Sequence, residues 1–422
     1  MAALALFVNR AQAADGTWIF NNSGAWSTAT NWSGSNIADG ADSTADFSTI
    51  NITSGRTVTL DSSRTIGHLR FGDTTPTHDW SLAASGGSVL TLQVGAAAPS
   101  VEIVNQSASI SAVLAGAQGF TKTGVGTLSV SGNNSSLSGD ISVRQGALFW
   151  NVNNNALGSG TITLNDVGTG GNNTGLFRNA AGTLANNIIV ANQGSGTATI
   201  GSDVSQVSIT YSGTVTLNRA AILKAGVNPN PSTVTFTGDI TGGGGVTISG
   251  GGIVAFNTTA KTYTGGTTLS EGTLRLGADN VVPDTGTFTF AGGILAANNR
   301  TDSIGQLSLT ADSSLNLTPD GTAGQLTFAS ASYSSGTLLI TGWTGTSGGV
   351  GTDDRIFITD DPTLSGILGN IQFDGYAPGA TWLSGSGELV PVPEPVNVAL
   401  GIFGVMFAAI GLWRRHRASR ST

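Results

Sequence analysis

Three tryptophans near the start of the chain are the residues best suited to binding chemistry. Trp18, Trp26 and Trp32 are separated by short stretches rich in Gly, Asn and Ser. An aromatic ring face complements the C–H face of a pyranose, so exposed indoles with this spacing could stack on sugar rings. The other interpretation is an N-terminal cap over residues 14–49, whose tryptophans cover the open end of a repetitive stack. We favour the cap and keep glycan stacking as the alternative.

Side chains for nucleophilic or acid–base catalysis are scarce. The chain has three histidines, and we predict that His68 and His78 are surface turn residues, while His416 lies in the tail. Neither His68 nor His78 is accompanied by the Gly-x-Ser-x-Gly turn of a serine nucleophile. The absence of cysteine excludes thiolate catalysis, cysteine metal sites and disulfides. The chain is therefore predicted not to be an enzyme and to have no catalytic residue, cofactor or metal.

The acidic residues leave one enzymatic alternative open. A glycosidase needs two carboxylates about 5 to 10 Å apart, and stacked coils with one exposed acid each could form such a pair. Most acids here lie in Asp-Gly or Asp-Ser turns, so a polysaccharide lyase or glycosidase is only an alternative. The pairs Asp353-Asp354 and Asp360-Asp361 lack the spacing of a calcium loop and are predicted to be solvated turn acids.

Composition and charge restrict the fold and the partners. With 62 Gly and only 10% charged residues, long amphipathic helices are implausible and the chain should be nearly all β. The formal net charge is -8, although four arginines in the extreme tail offset the acids of the body. A body this acidic repels phosphate backbones, which excludes nucleic acid as a partner.

A repeated unit organises the middle of the chain. Residues 119–149 hold alternating patterns at 127–131 and 140–144 and the start of another at 147, which predicts three strands. An ungapped offset of about 126 residues matches this unit to residues 245–275. The matched positions are Gly119, Thr121, Gly124, Gly126, Gly139, Gly146 and Leu148 in the first copy, and Gly245, Thr247, Gly250, Gly252, Gly265, Gly272 and Leu274 in the second.

The second copy carries a family resemblance. Its run Tyr263-Thr264-Gly265-Gly266-Thr267-Thr268-Leu269-Ser270-Glu271-Gly272-Thr273-Leu274 closely resembles the autotransporter-associated β-strand repeat of large secreted bacterial surface proteins. The resemblance implies a right-handed parallel β-helix. The first copy is more degenerate, with Asp140 where the second has Gly266.

A short pattern, Gly-Thr followed by alternating apolar residues, recurs through residues 50–336, for example at 160–164, 213–217 and 286–290. Each occurrence predicts one short strand that buries every other side chain, and such strands bury a core by stacking in coils about 4.8 Å apart. We therefore expect an all-β solenoid over residues 50–336, then a C-terminal cap and linker over 337–390.

Asparagine runs lie between the strands, at 133–134, 151–155, 172–173 and 186–187. They predict ladders of side-chain hydrogen bonds at the corners of the coils.

The start of the chain resembles an export signal. A short apolar run at residues 2–8 precedes Ala11-Gln12-Ala13, which has the small-residue form of a signal-peptidase site. Residues 1–13 are therefore predicted to be a secretory signal peptide. The run is short and has no basic start, which is consistent with a truncated beginning.

The last residues, 391–420, have three parts in a characteristic order. Pro393, Glu394 and Pro395 precede an uncharged stretch at 396–413, which is long enough for a membrane-spanning helix. A basic stop-transfer tail follows, at Arg414, Arg415 and Arg417. This order resembles the PEP-CTERM sorting signal, which implies processing by an exosortase-type transpeptidase after an intermediate held in the inner membrane of a Gram-negative-type bacterium.

The sequence as a whole favours an exported structural or adhesive protein of the cell surface or extracellular matrix. Its expected partners are the sorting transpeptidase, the inner membrane before processing, and exopolysaccharide or neighbouring copies of like chains. The alternatives are a polysaccharide-binding module and a polysaccharide lyase or glycosidase built on the same β-helix.

Overall fold

The computed structural model of the chain describes residues 13–226, 230–258, 260–318 and 322–393. Nearly all of the predicted signal peptide, Glu394 and Pro395, the stretch 396–413 and the basic tail lie outside the described residues. Within the described ranges, no helix has the length and apolar character needed to cross a membrane.

The described residues form an all-β, parallel β-solenoid of about 12 turns with almost no helix, which confirms the predicted fold class at this level. Its contacts divide it into two compact units, one ending at Gly266 and the other beginning at Thr267.

In chain order, the strands of the first unit are β1 (Gly16–Thr17), β2 (Gly24–Ala25), β3 (Thr44–Phe47), β4 (Arg56–Leu60), β5 (Arg64–Ile66), β6 (His68–Phe71), β7 (Trp80–Ala84), β8 (Val89–Leu92), β9 (Ser100–Ile103), β10 (Ser107–Ile110), β11 (Val113–Ala115), β12 (Phe120–Thr123), β13 (Thr127–Val130), β14 (Ile141–Val143), β15 (Gly146–Trp150), β16 (Ile162–Leu164), β17 (Thr174–Phe177), β18 (Gly182–Leu184), β19 (Ile188–Val190), β20 (Ala198–Gly201), β21 (Ser208–Tyr211), β22 (Val215–Leu217), β23 (Ala221–Lys224), β24 (Thr233–Phe236), β25 (Ile240–Thr241), β26 (Val246–Ser249) and β27 (Ile253–Phe256). Two 3-10 helices lie between β2 and β3, at Ala29–Asn31 and Ser33–Ser35.

These strands build three faces of parallel sheet. The first sheet has the order β1-β3-β6-β9-β12-β14-β16-β19-β22-β25. Within this unit the second sheet has the order β2-β4-β7-β10-β13-β15-β17-β20-β23-β26. The third face begins as β5-β8-β11 and later holds β18-β21-β24-β27. Successive coils therefore visit the faces in turn.

The third face is interrupted in the middle of the unit. Residues 131–140 and 151–161 are all described, and neither segment forms a strand. These are the segments that hold the first two asparagine runs. Side-chain hydrogen bonds replace the missing strand pairing there: buried Asn134 accepts from the Leu114 N–H at 2.7 Å and donates to the Ala156 carbonyl at 2.6 Å.

The predicted asparagine ladder is confirmed at one step between asparagines. Asn155 Nδ2 donates to Asn133 Oδ1 at 3.2 Å. At other corners the amide binds the backbone of the next coil instead, as when Asn187 Oδ1 accepts from the Thr214 N–H at 3.0 Å. Asparagine therefore joins coils both by accepting from backbone N–H groups and by donating to backbone carbonyl oxygens.

The strands form because their side chains alternate between core and surface. In β13, Leu128 and Val130 are buried, while Thr127 and Ser129 are half-buried on the outer face. The coils approach so closely at their corners that some positions require glycine. Gly119 has φ +64°, and a Cβ there would lie 1.9 Å from the Asp140 carbonyl oxygen.

The strands of the second unit are β28 (Thr267–Leu269), β29 (Thr273–Leu276), β30 (Thr287–Phe290), β31 (Ile294–Ala296), β32 (Thr301–Ile304), β33 (Gln306–Leu309), β34 (Ser313–Asn316), β35 (Gln325–Phe328), β36 (Ala331–Tyr333), β37 (Leu338–Thr341), β38 (Arg355–Ile358), β39 (Ile371–Phe373), β40 (Ala380–Leu383) and β41 (Glu388–Pro391). Its 3-10 helices are Thr363–Ser365 and Leu368–Asn370.

Three faces also build the second unit, in the orders β28-β30-β33-β36, β29-β31-β34-β37-β39 and β32-β35-β38-β41-β40. Most pairs are parallel, but β41 runs antiparallel to both β38 and β40. Residues 337–390, predicted to be a cap and linker, thus hold five strands.

Candidate functional site

The three N-terminal tryptophans are buried rather than exposed. Trp18 and Trp26 are 0% exposed and Trp32 is 1% exposed, and they pack on one another and on Phe47. The rings of Trp18 and Trp32 meet edge to face, with centroids 5.2 Å apart. A sugar ring cannot reach any of these faces, so the glycan-stacking alternative does not fit this arrangement. The indoles form part of the core of the first coils.

The structure describes two of the three histidines, His68 and His78. His68 begins β6, so the prediction that it lies in a turn was wrong, and its Nδ1 lies 2.8 Å from the Ser100 hydroxyl oxygen. His78 lies in the loop before β7, with Nδ1 3.1 Å from the Ile52 carbonyl oxygen. In the described part of the chain, neither ring is hydrogen-bonded to a carboxylate. A Ser-His-Asp arrangement is therefore not assembled there.

The prediction of solvated acids was wrong for Asp353 and Asp354. Both are buried, and Asp354 accepts hydrogen bonds from the Thr318 N–H at 2.9 Å and the Gly324 N–H at 2.6 Å. Asp354 thus holds a turn in place. Asp360 and Asp361 are exposed, as predicted. Across the described ranges, no group of three or more His, Asp and Glu side chains could hold a metal ion.

Lys122 is a buried cation in the first unit that the sequence analysis missed. Its side chain is 0% exposed. Its Nζ donates to four backbone carbonyl oxygens, those of Thr123 at 3.1 Å, Gly124 at 2.6 Å, Gly126 at 2.6 Å and Gln145 at 2.8 Å. Burial lowers the pKa of Lys122 to about 7, while the charge of Glu102 acts in the opposite direction. The alternation of side chains along the strand could have located it, because Lys122 lies two residues after Phe120 and faces the same, inward side of β12.

Asp302 is the corresponding buried acid in the second unit. It is 1% exposed, and its Oδ2 accepts from the N–H groups of Val281 at 2.8 Å and Val282 at 3.1 Å. Its Oδ1 is buried without a hydrogen-bond partner among the described residues. Burial raises the pKa of Asp302 to about 7, and the nearby charges of Asp284 and Asp279 act in the same direction. This carboxyl therefore titrates near neutral pH.

A cleft in the second unit is the feature best suited to hold a ligand. It has a volume of about 470 Å³ and opens beside the sheet that contains β35, β38, β41 and β40. Strand pairing sets its floor, because Thr327 of β35 lies opposite Phe357 of β38 and both point outward. Trp382 of β40 and the turn that ends at Gly387 form its wall.

Two interactions hold the aromatic side chains of this cleft. Trp382 Nε1 donates to the Ile358 carbonyl oxygen at 3.0 Å. The Arg355 guanidinium lies over the Phe357 ring, 4.8 Å from its centroid, and also forms an ion pair with buried Glu388. Both rings are half-buried and thus partly open to solvent. Sequence reasoning missed this cleft, because its parts come from three segments that come together only in the fold.

A smaller cleft of about 240 Å³ lies at the interrupted third face of the first unit. Its lining is Asn154, Asn155, Gly158, Ser159, Ala185 and Asn186. The asparagine amides there already have partners: Asn186 Nδ2 donates to the Gly160 carbonyl oxygen at 2.7 Å, and Asn155 Nδ2 donates to the side chain of Asn133. This cleft contributes polar surface without an aromatic ring.

Comparison with known proteins gives one distant relative. The chain is 33% identical over 216 residues to the adhesin BmaC autotransporter of Brucella suis biovar 1 (strain 1330). The match covers 51% of this chain but only 5% of the relative. No family model matches the chain, and no solved structure matches it. The likeness and the β-solenoid fold together fit an autotransporter-like β-repeat protein.

Proposed function

We propose that this chain is an exported adhesive protein that displays its β-solenoid at the bacterial cell surface or in the surrounding matrix. The observation that carries the proposal is the similarity to an adhesin over half of the chain, combined with a parallel β-solenoid. The matched region is a small part of that adhesin, so the activity of the whole adhesin is not ascribed to this chain.

The outer faces of the coils support an adhesive role. Along the second sheet of the first unit they carry small hydroxyl side chains, such as Ser81 and Ser109, whose oxygens lie 2.8 Å apart on neighbouring strands. Such faces offer many weak polar contacts, and many weak contacts in parallel give strong attachment without one strong site. Exopolysaccharide or copies of like chains are the partners we propose.

Sorting through the C-terminal signal is part of this proposal. Pro393, the first residue of the motif, is exposed and follows the last strand, β41, by two residues. The motif would therefore begin just outside the folded unit, where a membrane transpeptidase of the exosortase type could reach it.

The polysaccharide-binding alternative gains support from the aromatic cleft of the second unit. The lyase or glycosidase alternative has no comparable support, because the cleft is lined by neutral side chains. Incubation of the full chain with polysaccharides, scored for released oligosaccharide, tests that alternative directly. Product release would replace the adhesive proposal with an enzymatic one.

The proposal is tested by deleting the gene in the producing bacterium and restoring it in trans. The expected result is loss of attachment to polysaccharide-coated surfaces in the deletion strain and its recovery on complementation. Protease treatment of intact complemented cells should also degrade the protein. Unchanged attachment, or a protein protected inside intact cells, would contradict it.

A further inference from the structure

We propose that the cleft lined by β35, β38 and residues 382–387 binds one neutral sugar unit of a polysaccharide. Trp382 and Phe357 would supply its apolar surface, and Gln325 and Thr327 its hydrogen bonds. The inference rests on the proposed function for the source of the polymer, but binding itself can be measured on the purified chain.

The size and rigidity of the cleft suit a small ligand. Its volume of about 470 Å³ lies within the range of roughly 300 to 1,000 Å³ that is typical of small-molecule sites. Its floor lies on paired strands, and its wall is tied to them by the hydrogen bond from Trp382 to Ile358. A site that is already formed loses little conformational freedom on binding, which favours affinity.

The chemistry of the lining matches a sugar. Pyranose rings have apolar C–H faces that pack on aromatic side chains, and the half-buried rings of Phe357 and Trp382 provide such surface. Around them lie uncharged polar groups. Gln325 Nε2 donates to the Thr327 hydroxyl oxygen at 3.1 Å, and the Gln325 amide can still accept a hydrogen bond from a sugar hydroxyl. Ser384 and Ser386 are exposed at the opposite rim.

The charge of the cleft selects a neutral ligand over an acidic one. All of its lining residues are uncharged. Arg355, which lies over one face of the Phe357 ring, is already paired with the buried carboxylate of Glu388. A phosphate or uronate would have to exchange water for a site with no free counter-charge, which is unfavourable. Neutral hydroxyl groups have a smaller desolvation cost, which hydrogen bonds to the polar lining offset.

The experiment is a calorimetric titration of the full chain with neutral gluco-, manno-, galacto- and xylo-oligosaccharides. Saturable binding of at least one is expected. Gln325→Ala and Thr327→Val should each weaken it about 5- to 10-fold, and Trp382→Ala should abolish it. The matched controls are Thr289→Val and Tyr333→Ala, which remove a half-buried hydroxyl and a half-buried aromatic ring elsewhere on the second unit. The controls should bind within about twofold of the unchanged chain.

Thermal unfolding of each variant separates lost binding from lost folding. If Trp382→Ala melts early, the exposed Gln325 and the half-buried Thr327 decide the outcome, since neither side chain supports the core. Any of three results would overturn the proposal. The first is no saturable binding of any neutral oligosaccharide, and the second is equal binding by the cleft and control variants. The third is binding only of acidic sugars or apolar peptides. Cells that attach normally with the cleft variants would leave the adhesive function standing without this cleft. If the purified chain binds a sugar but the protein is not displayed on the cell surface, the cleft proposal stands and the adhesive function does not.

Discussion

Lys122 shows at the residue scale how a single buried charge is accommodated. An ammonium group has three N–H donors, and here four carbonyl oxygens from two neighbouring coils surround it. We predict that Lys122→Met lowers the free energy of unfolding of the first unit by roughly 3 kcal/mol, because these buried acceptors lose their donor. Chemical denaturation measures the change. Lys224→Met is the control, since it removes only a partly exposed ion pair with Asp203 and should cost less than about 1 kcal/mol. Equal losses of unfolding free energy in the two variants would contradict a stabilising role for the four hydrogen bonds of Lys122.

The same lysine makes stability depend on pH. Unfolded lysine keeps its proton up to about pH 10.4, whereas the folded pKa of Lys122 is lowered to about 7. Between these values the unfolded chain binds more protons than the folded chain, so stability should rise with pH. Buried Lys261, with its pKa lowered to about 8, acts in the same direction. Lys122→Met should reduce the slope of unfolding free energy against pH in this window.

Asp302 predicts the opposite pH dependence for the second unit. Its folded pKa is raised to about 7, above the unfolded value of about 3.9. Between these values the folded chain holds the extra proton, so stability present at low pH is lost as the pH rises towards 7. Asp302→Asn keeps an acceptor for the Val281 and Val282 N–H groups but carries no charge. It should therefore stabilise the unit by roughly 2 kcal/mol at pH 8 and change little at pH 4.

Melting temperatures across this pH range measure the effect of the Asp302 substitution. Asp302→Ala is the control, because it removes the acceptor of two backbone N–H groups and should destabilise the unit at both pH values. A variant Asp302→Asn that is less stable than the unchanged chain at pH 8 would show that the carboxylate is held in its charged form.

Corner asparagines join neighbouring coils at the scale of the structural element. Asn134 is 0% exposed and bridges Leu114 on one coil to Ala156 on another. Asn134→Ala should cost roughly 2 to 4 kcal/mol, since a buried N–H and a buried carbonyl lose their partners. Its neighbour Asn133 is exposed, so Asn133→Ala should change stability by less than about 0.5 kcal/mol. Urea unfolding of the pair measures both, and equal costs would mean that the ladder on the surface matters as much as the buried bridge.

Adjacent glycines in the turn before β26 separate chain flexibility from close packing. A Cβ at Gly244 would lie 2.1 Å from the Arg219 carbonyl oxygen, whereas a Cβ at Gly243 would meet nothing within 4 Å. Gly244→Ala should therefore destabilise the first unit by roughly 1 to 3 kcal/mol, because backbone must move to admit the methyl group. Gly243→Ala should be neutral or stabilise by up to about 1 kcal/mol through the unfolded state. Thermal melting of the two variants measures this, and a larger loss for Gly243→Ala would contradict the coil spacing.

The local strand pattern was predictable from the sequence, but the face each strand joins was not. The strands predicted at 127–131 and 140–144 are confirmed to within a residue at each end, as Thr127–Val130 and Ile141–Val143. The two repeat copies also have matching strands, β12 with β26 and β13 with β27. However, β12 lies in the first sheet and β26 in the second. Alternation fixes which side of a strand is buried, whereas coil length and turn geometry between the copies decide the face.

At the scale of the whole molecule, the surface proposed to bind a ligand could not be located from composition. Trp18, Trp26 and Trp32 have polar neighbours in sequence, yet they pack against one another in the core. Trp382 lies in a stretch predicted to be a cap and linker, and it lines one cleft together with Phe357. Exposure of an aromatic ring depends on which coils lie above and below it, and this long-range information is absent from the local pattern.

The proposed export and processing give the last prediction, because they would decide where the whole molecule acts. In the producing bacterium, alanine at Pro393, Glu394 and Pro395 should leave the tail attached, since the proposed transpeptidase would no longer recognise its motif. Intact mass of the mature protein should then increase by the mass of the retained tail. Alanine at residues 363–365, a 3-10 helix outside the motif with no buried residue, is the control and should be processed normally. The same mature mass in the motif variant and in the unchanged chain would show that the tail is removed by another route or serves as an ordinary anchor.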